Sequence, residues 1–286
     1  MIAATSDQAR ARAIVTAESA GYRAVVIPKD EAARRLEIQP QASAIWVELD
    51  KDSGSELDDL LDQVQAEARS DHCPAIIISS LPLVDRIMAR VEDSLVELLV
   101  DPSPAERIAA LSLATARRSA GQRLFDISKE PSAVRLRQLS DEVSRIAASL
   151  ARLSVGPSGA AVEKPEPATG EAPAISLDTV RQVIRARRLR GRFFDEELFA
   201  DPAWDMLLDL LQSEIAQHRV PVSSLCIAAA VPATTALRWI KTMTDAGLFK
   251  RRADPHDGRR VFIELSAEAS EGMRHYFREV GKIAVT

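Results

Sequence analysis

Through residues 1–118 short apolar runs alternate with amphipathic stretches. Residues 2–4, 23–27, 44–49, 75–78 and 95–100 read as strands, and roughly 6–20, 29–37, 55–69, 82–92 and 104–118 read as helices between and after them. Five strands separated by helical crossovers predict an α/β domain whose parallel sheet is covered on both faces. Gly21 stands where the first helix should end. In 119–153, with Pro131 near a helix start, Leu136, Leu139, Val143, Ile146, Leu150 and Leu153 recur at alternating spacings of three and four. That is a heptad seam, predicting a short two-stranded coiled coil; a helix laid against its own domain is the other reading. Residues 154–174 are rich in Pro, Gly, Ala and Glu with little to bury, and predict a linker, either adaptable or a semi-rigid spacer.

The pattern changes again over 175–286. Ser176 suits the cap of a helix bearing Val180, Val183 and Ile184, and Asp201-Pro202 opens another that carries Trp204, Leu207, Leu208, Leu211 and Ile215. Ser223 is placed as the cap of a short helix with Leu225, Ile227 and Ala228, and Pro232 starts the next after a tight connection. There Ala236, Ile240 and Met243 form a core stripe, which leaves Thr234, Thr235, Arg238 and Lys241 on the outer face. Gly247 suits that helix's C-terminus. Leu248-Phe249 and Val261-Phe262-Ile263 then bracket a turn-rich segment, predicting a hairpin, and a last helix from 266 to about 283 carries Met273, Tyr276, Phe277 and Val280. The trytophan-bearing positions Trp204 and Trp239 read as packing residues.

Charge sharpens this picture. The chain carries a net charge of −5, but acidic residues dominate 1–174 while 175–286 holds a small basic surplus. Lys250, Arg251, Arg252, Arg259 and Arg260 flank the hairpin tip, offset locally only by Asp254 and Asp257. Such a cluster fits phosphates or a narrow minor groove, and the helix before it presents short hydroxyls and cations where a recognition helix reads the major groove. The run Arg185, Arg187, Arg188, Arg190 and Arg192 reads either as a contact to the DNA backbone or, the reading favoured here, as internally paired with Asp195, Glu196 and Glu197. Composition excludes other classes. With 46% hydrophobic and 28% charged residues the chain reads as soluble and globular, and no apolar run is long enough for a membrane span. A cytoplasmic protein is expected. Cys73 and Cys226 predict no disulfide framework, His72 beside Cys73 lacks a metal-ligand set, and no nucleophile-base or phosphate-cradling constellation predicts an enzyme or a cofactor.

The stretch DAGLFKRRADPHDGRR, with its Asp257-Gly258-Arg259, resembles the helix-to-wing junction of MarR-type winged helix-turn-helix transcriptional regulators. The resemblance covers about 175–286. It implies that Arg259 enters a minor groove, that the face bearing Thr234, Thr235, Arg238 and Lys241 enters a major groove, and that terminal helices contribute to a dimer. Residues 1–118 resemble the receiver domain of bacterial response regulators. In that register Thr5 and Ser6 stand where an acidic pair would hold magnesium, the phosphoacceptor position holds Glu48 or Asp50, Ser79 matches a hydroxyl, and Asp101-Pro102 replaces a Lys-Pro. The expectation is a phosphorylation-incompetent pseudo-receiver that serves in dimerisation or partner binding. Glu48 reads as an exposed strand-end residue, or as a mimic of a permanently charged state. The whole is expected to be a homodimeric regulator that binds double-stranded DNA. A receiver switched by phosphorylation on Asp50, and a scaffold whose two domains bind only proteins, are the alternatives.

Overall fold

A computed structural model describes residues 1–27, 42–70, 73–91, 96–127 and 175–283. The chain divides into two compact units, Met1–Thr115 with Ala174–Thr286 and Ala116–Pro173. The heptad seam of Leu136, Leu139, Val143, Ile146, Leu150 and Leu153, the linker 154–174 and the helix expected at 29–37 lie outside the described residues.

The N-terminal half is an α/β domain. Strands β1 (Ile2–Ala4), β2 (Ile45–Glu48), β3 (Ala75–Ser79) and β4 (Val96–Val100) pair in sequence order, every pair parallel. The strand expected at 23–27 is reduced to a bridge between Ile2 and Val26 on the free side of β1. There the Ile2 amide donates to the Val25 carbonyl and the Ile2 carbonyl accepts from the Ile27 amide. Helices α1 (Asp7–Ser19), α2 (Ser55–Ser70), α3 (Val84–Arg90) and α4 (Pro104–Ile127) supply the layers.

Period-two alternation sorts the sheet residues between these layers. Ile45, Val47, Ala75 and Ile77 pack with Leu57, Leu61 and Val64 of α2 and Ile87 of α3, whereas Trp46, Ile76 and Ile78 pack with Ala13 and Ala17 of α1 and Ala110, Leu111 and Ala114 of α4. Both faces are therefore dry, as near-continuous apolar strands require. Ser6 caps α1 by accepting from the Ala9 amide, and Gly21, at φ +79°, lets Tyr22 bond back to the Ala17 carbonyl.

The C-terminal half comprises α5 (Leu177–Leu189), α6 (Pro202–Ile215), β5 (Val220–Pro221), α7 (Val222–Ala228), α8 (Ala233–Asp245), β6 (Phe249–Ala253), β7 (Val261–Leu265) and α9 (Ala267–Ile283). Ser176 and Asp201 cap α5 and α6 as their sequence positions predict. Ser223 does not cap α7: that helix begins at Val222 with Pro221 in the cap position, and Ser223 bonds elsewhere. The β6–β7 hairpin gains β5 as a third, antiparallel strand, giving the order β5-β7-β6. Val180, Leu208, Leu211, Met273 and Phe277 join α5, α6 and α9 into one core.

A second core joins the two halves. Met206, Leu225, Ala236, Leu237, Ile240, Phe249 and Ile263 pack with Val84 of α3 and Val100 of β4, and Leu81, Met88, Ala89 and Leu98 line the same cluster. Val84 is fully buried. The first and last parts of the chain, which read as separate domains on a tether, thus share one interior.

Candidate nucleic-acid interface

Helices α7 and α8 meet at a bend of 108°, within the range of a helix-turn-helix. The turn is made by Ala230, held in the left-handed region at φ +53°, and by Pro232, which precedes α8. No single helix among the described residues is long and apolar enough to cross a membrane. The apolar side of α8 faces the core as expected: Ala236, Ile240 and Met243 are buried, and Gly247 at φ +75° closes the helix with the Leu248 amide on the Met243 carbonyl.

The outer face of α8 is divided. Thr235, Trp239, Lys241 and Thr242 are exposed, and Lys241 pairs with Asp245 at 3.3 Å one turn on. Trp239 is thus a surface residue rather than the packing residue its spacing predicts. Together with Thr242 it extends the exposed face, a position legible from its four-residue step from Thr235. Thr234, in contrast, is turned towards the α/β domain, where its hydroxyl takes the Val100 amide at 2.9 Å and donates to the Val100 carbonyl at 3.3 Å. Arg238 reaches Glu97 of β4 at 2.8 Å, and Leu237 is buried beside it.

The wing cations are not uncompensated, which corrects the reading of the hairpin as charge without matching carboxylates. Arg252 meets Glu264 across the hairpin at 3.1 Å, Arg260 meets Asp257 at 3.5 Å, and Arg259 meets Asp58 of α2 at 3.4 Å. The Arg251 guanidinium donates to the Met88 carbonyl of α3, while Lys250 is exposed. A partner 201 residues away in sequence could not be read from local charge. The pairs of Arg252, Arg259 and Arg260 are more than half exposed on the arginine side and hold weakly, about 0–1 kcal/mol each, so phosphates can displace them. Within the tip, Asp257 accepts the Arg259 amide and Asp254 accepts the His256 amide, which folds the Asp257-Gly258-Arg259 segment back on itself.

In the second arginine run, Arg187 and Arg190 meet groups of the same half of the chain. Arg187 bonds Asp205 at 2.7 Å and approaches Asp201 at 3.5 Å, and Arg190 lies 5.0 Å from the Phe199 ring. The side chains of 196 and 197 lie outside the described ones.

At the carboxyl edge of the parallel sheet the candidate receiver residues do come together. Glu48 ends β2, Ser79 ends β3, and Asp101 follows β4 in a left-handed conformation. Glu48 is only 1% exposed, against the expectation of an exposed strand end. Its carboxylate receives Arg12 at 2.7 Å, Arg107 at 2.8 and 2.9 Å, and the Trp46 indole at 3.2 Å. Asp50 accepts the hydroxyls of Thr5, at 2.8 Å, and Ser6. Although partial burial opposes it, those two hydroxyls, with Arg12 and Lys51 nearby, hold the Asp50 carboxyl below its ordinary value. Asp58 is likewise lowered, chiefly by its bond from Arg86, with Arg90 and Arg259 adding to it.

A family model described as a winged helix DNA-binding domain matches residues 207–269. The C-terminal region is therefore a winged helix DNA-binding domain, and the match spans α7, α8 and the hairpin. No curated protein matches the chain. Among solved structures, the crystal structure of NadR in complex with 4-hydroxyphenylacetate is similar at 16% identity, with 42% of this chain and 83% of that chain covered and a TM-score of 0.25. So slight a likeness carries no argument here.

Proposed function

We propose that this protein is a sequence-specific transcriptional regulator of MarR-like type that binds double-stranded DNA as a homodimer, with its α/β domain acting as a receiver-like module that does not take a phosphoryl group. The observation that carries the proposal is the winged helix itself, with Thr235, Arg238 and Thr242 on the outer side of α8 and Lys250, Arg252, Arg259 and Arg260 on the hairpin. Two such modules related by a two-fold axis would place their α8 helices about one helical turn of DNA apart, on an inverted repeat. Support for a dimer comes from exposed apolar side chains on the α5–α6 connection and on α9: Phe193, Phe194, Leu198, Tyr276 and Val280. For the α/β domain, the order of β1 to β4 with Val26 beyond β1 supports a receiver-like topology. The hydroxyls around Asp50 and the two arginines on Glu48 are unlike a magnesium-binding pocket, and speak against a switch by phosphorylation on Asp50.

A protein-binding scaffold remains the alternative, since part of the α8 face meets protein groups. Selection of the full chain against a pool of random duplexes, followed by sequencing, separates the two. The regulator yields an enriched inverted repeat, and an Arg252→Ala/Arg260→Ala variant, which touches only pairs within the wing, loses affinity for it by about 10-fold or more. No enrichment, with no duplex binding at any salt concentration, favours the scaffold.

A further inference from the structure

Four of the groups on α8 and the wing that would meet DNA, Thr234, Arg238, Arg251 and Arg259, are already engaged by the α/β domain. Thr234 holds both polar groups of the Val100 backbone, Arg238 holds Glu97, Arg251 holds the Met88 carbonyl and Arg259 holds Asp58. Ahead of α8, Ser223 of α7 gives its amide to Asp85 at 2.9 Å and bonds the same carboxylate through its hydroxyl. Beneath these polar contacts Val84 and Val100 complete the core that Ala236 and Leu237 begin.

From this geometry we infer that the surface formed by α3, β4 and Asp58 of α2 is a docking site for the DNA-reading face of the winged helix, and that it competes with DNA. The inference rests on the winged helix being a DNA reader, as proposed above. Its chemistry is that of a nucleic-acid stand-in. Carboxylates at Asp58, Asp85 and Glu97 and carbonyls at Met88 and Val100 present acceptors to the same guanidiniums and hydroxyls that would otherwise find phosphates and base edges. Arg238 and Thr234 cannot serve both surfaces at once. Binding a duplex therefore requires the α/β domain to leave, and the apparent affinity falls by the fraction of molecules that are open. The apolar part of the contact makes the closed state more than a set of screened ion pairs. The polar part makes it specific, since Asp85 and Glu97 each meet one partner residue, Ser223 of α7 and Arg238 of α8.

Two measurements on the full chain test this. The first compares wild type with Asp85→Ala/Glu97→Ala for binding to a labelled random-sequence duplex at one fixed, low salt concentration. A Glu18→Ala/Asp59→Ala variant, which removes two charges from exposed positions of α1 and α2, serves as the control. Docking predicts affinity about 10-fold higher for the first variant and within about 2-fold of wild type for the control. Equal affinities for wild type and Asp85→Ala/Glu97→Ala overturn the docking surface and leave the DNA reading intact. No binding by any of the proteins overturns both. The second measurement needs no variant: amide hydrogen exchange of wild type with and without saturating duplex. Docking predicts faster exchange at 84–91 and 96–100 when duplex is bound. Unchanged or slower exchange there, with the duplex demonstrably bound, overturns it.

Discussion

At the residue scale, the carboxylates that matter most are those whose environment favours the ionised form. Asp50 is held low by hydroxyl donors and nearby cations, Asp52 by the Gly54 amide and then Arg86, and Asp58 by Arg86 first of all. A carboxyl with a depressed value in the folded state contributes stability above its unfolded value and loses it as pH falls through the folded one. Asp209 runs the other way, because burial raises it, with Arg188 in partial opposition. Its contribution is present below its unfolded value and is lost as pH rises through the folded one. Denaturation followed between about pH 2 and pH 6 should therefore show an acid limb that steepens below the ordinary aspartate range. In Asp50→Asn the difference from wild type should be present at the upper end and vanish at the lower; a difference that stays constant with pH would mean that Asp50 is not held by its neighbours. The sequence shows that Glu48, Asp50 and Thr5 stand near strand ends, since the apolar runs stop beside them. It does not show that Glu48 is buried, because its partners Arg12 and Arg107 come from α1 and α4, which only the folded sheet brings to one edge.

At the element scale, the winged helix is largely legible because its signals are local. The α8 stripe of Ala236, Ile240 and Met243, the Asp201-Pro202 start of α6 and the Gly247 stop all follow from periodicity and capping chemistry. Two positions in this module need a positive φ, and they test the same physics in opposite directions. Gly247 supplies it without steric strain, with no heavy atom within 4 Å of where a Cβ would stand, so Gly247→Ala isolates the backbone cost of about 1 kcal/mol. Ala230 occupies the left-handed region while exposed, so Ala230→Gly should raise stability by about 0.5 kcal/mol once the greater freedom of glycine in the unfolded chain is subtracted. Urea denaturation of both variants checks the pair, and a loss of stability in Ala230→Gly would show that the α7–α8 turn is not strained. What the element pattern concealed is Leu237. A leucine one step off the stripe reads as a margin of the core, and its burial depends on β4, some 140 residues earlier in sequence.

At the scale of the whole molecule, the shared interior is what no periodicity could announce. Residues 1–118 and 175–286 each carry a complete set of local signals, and neither set marks Val84 or Val100 as the place where the other packs. The consequence concerns salt. Every phosphate contact that releases counterions from a duplex weakens binding as salt rises, with a slope of about −0.9 per contact in a logarithmic plot. In this chain, however, the contacts of Arg238 and Arg259 are made by first breaking pairs with Glu97 and Asp58, which salt weakens as well. Rising salt therefore opens the protein while it loosens the complex, and the two effects partly cancel. The wild-type slope should be shallower than that of Asp85→Ala/Glu97→Ala, by up to about one unit for the Glu97 pair that the variant lacks. Titrations of both proteins at four or more salt concentrations give the two slopes directly. Parallel lines would mean that the pair with Glu97 is not displaced when DNA binds. Converging lines, with the two affinities approaching each other at high salt, would locate the competition in the ionic part of the docked surface rather than in its apolar core.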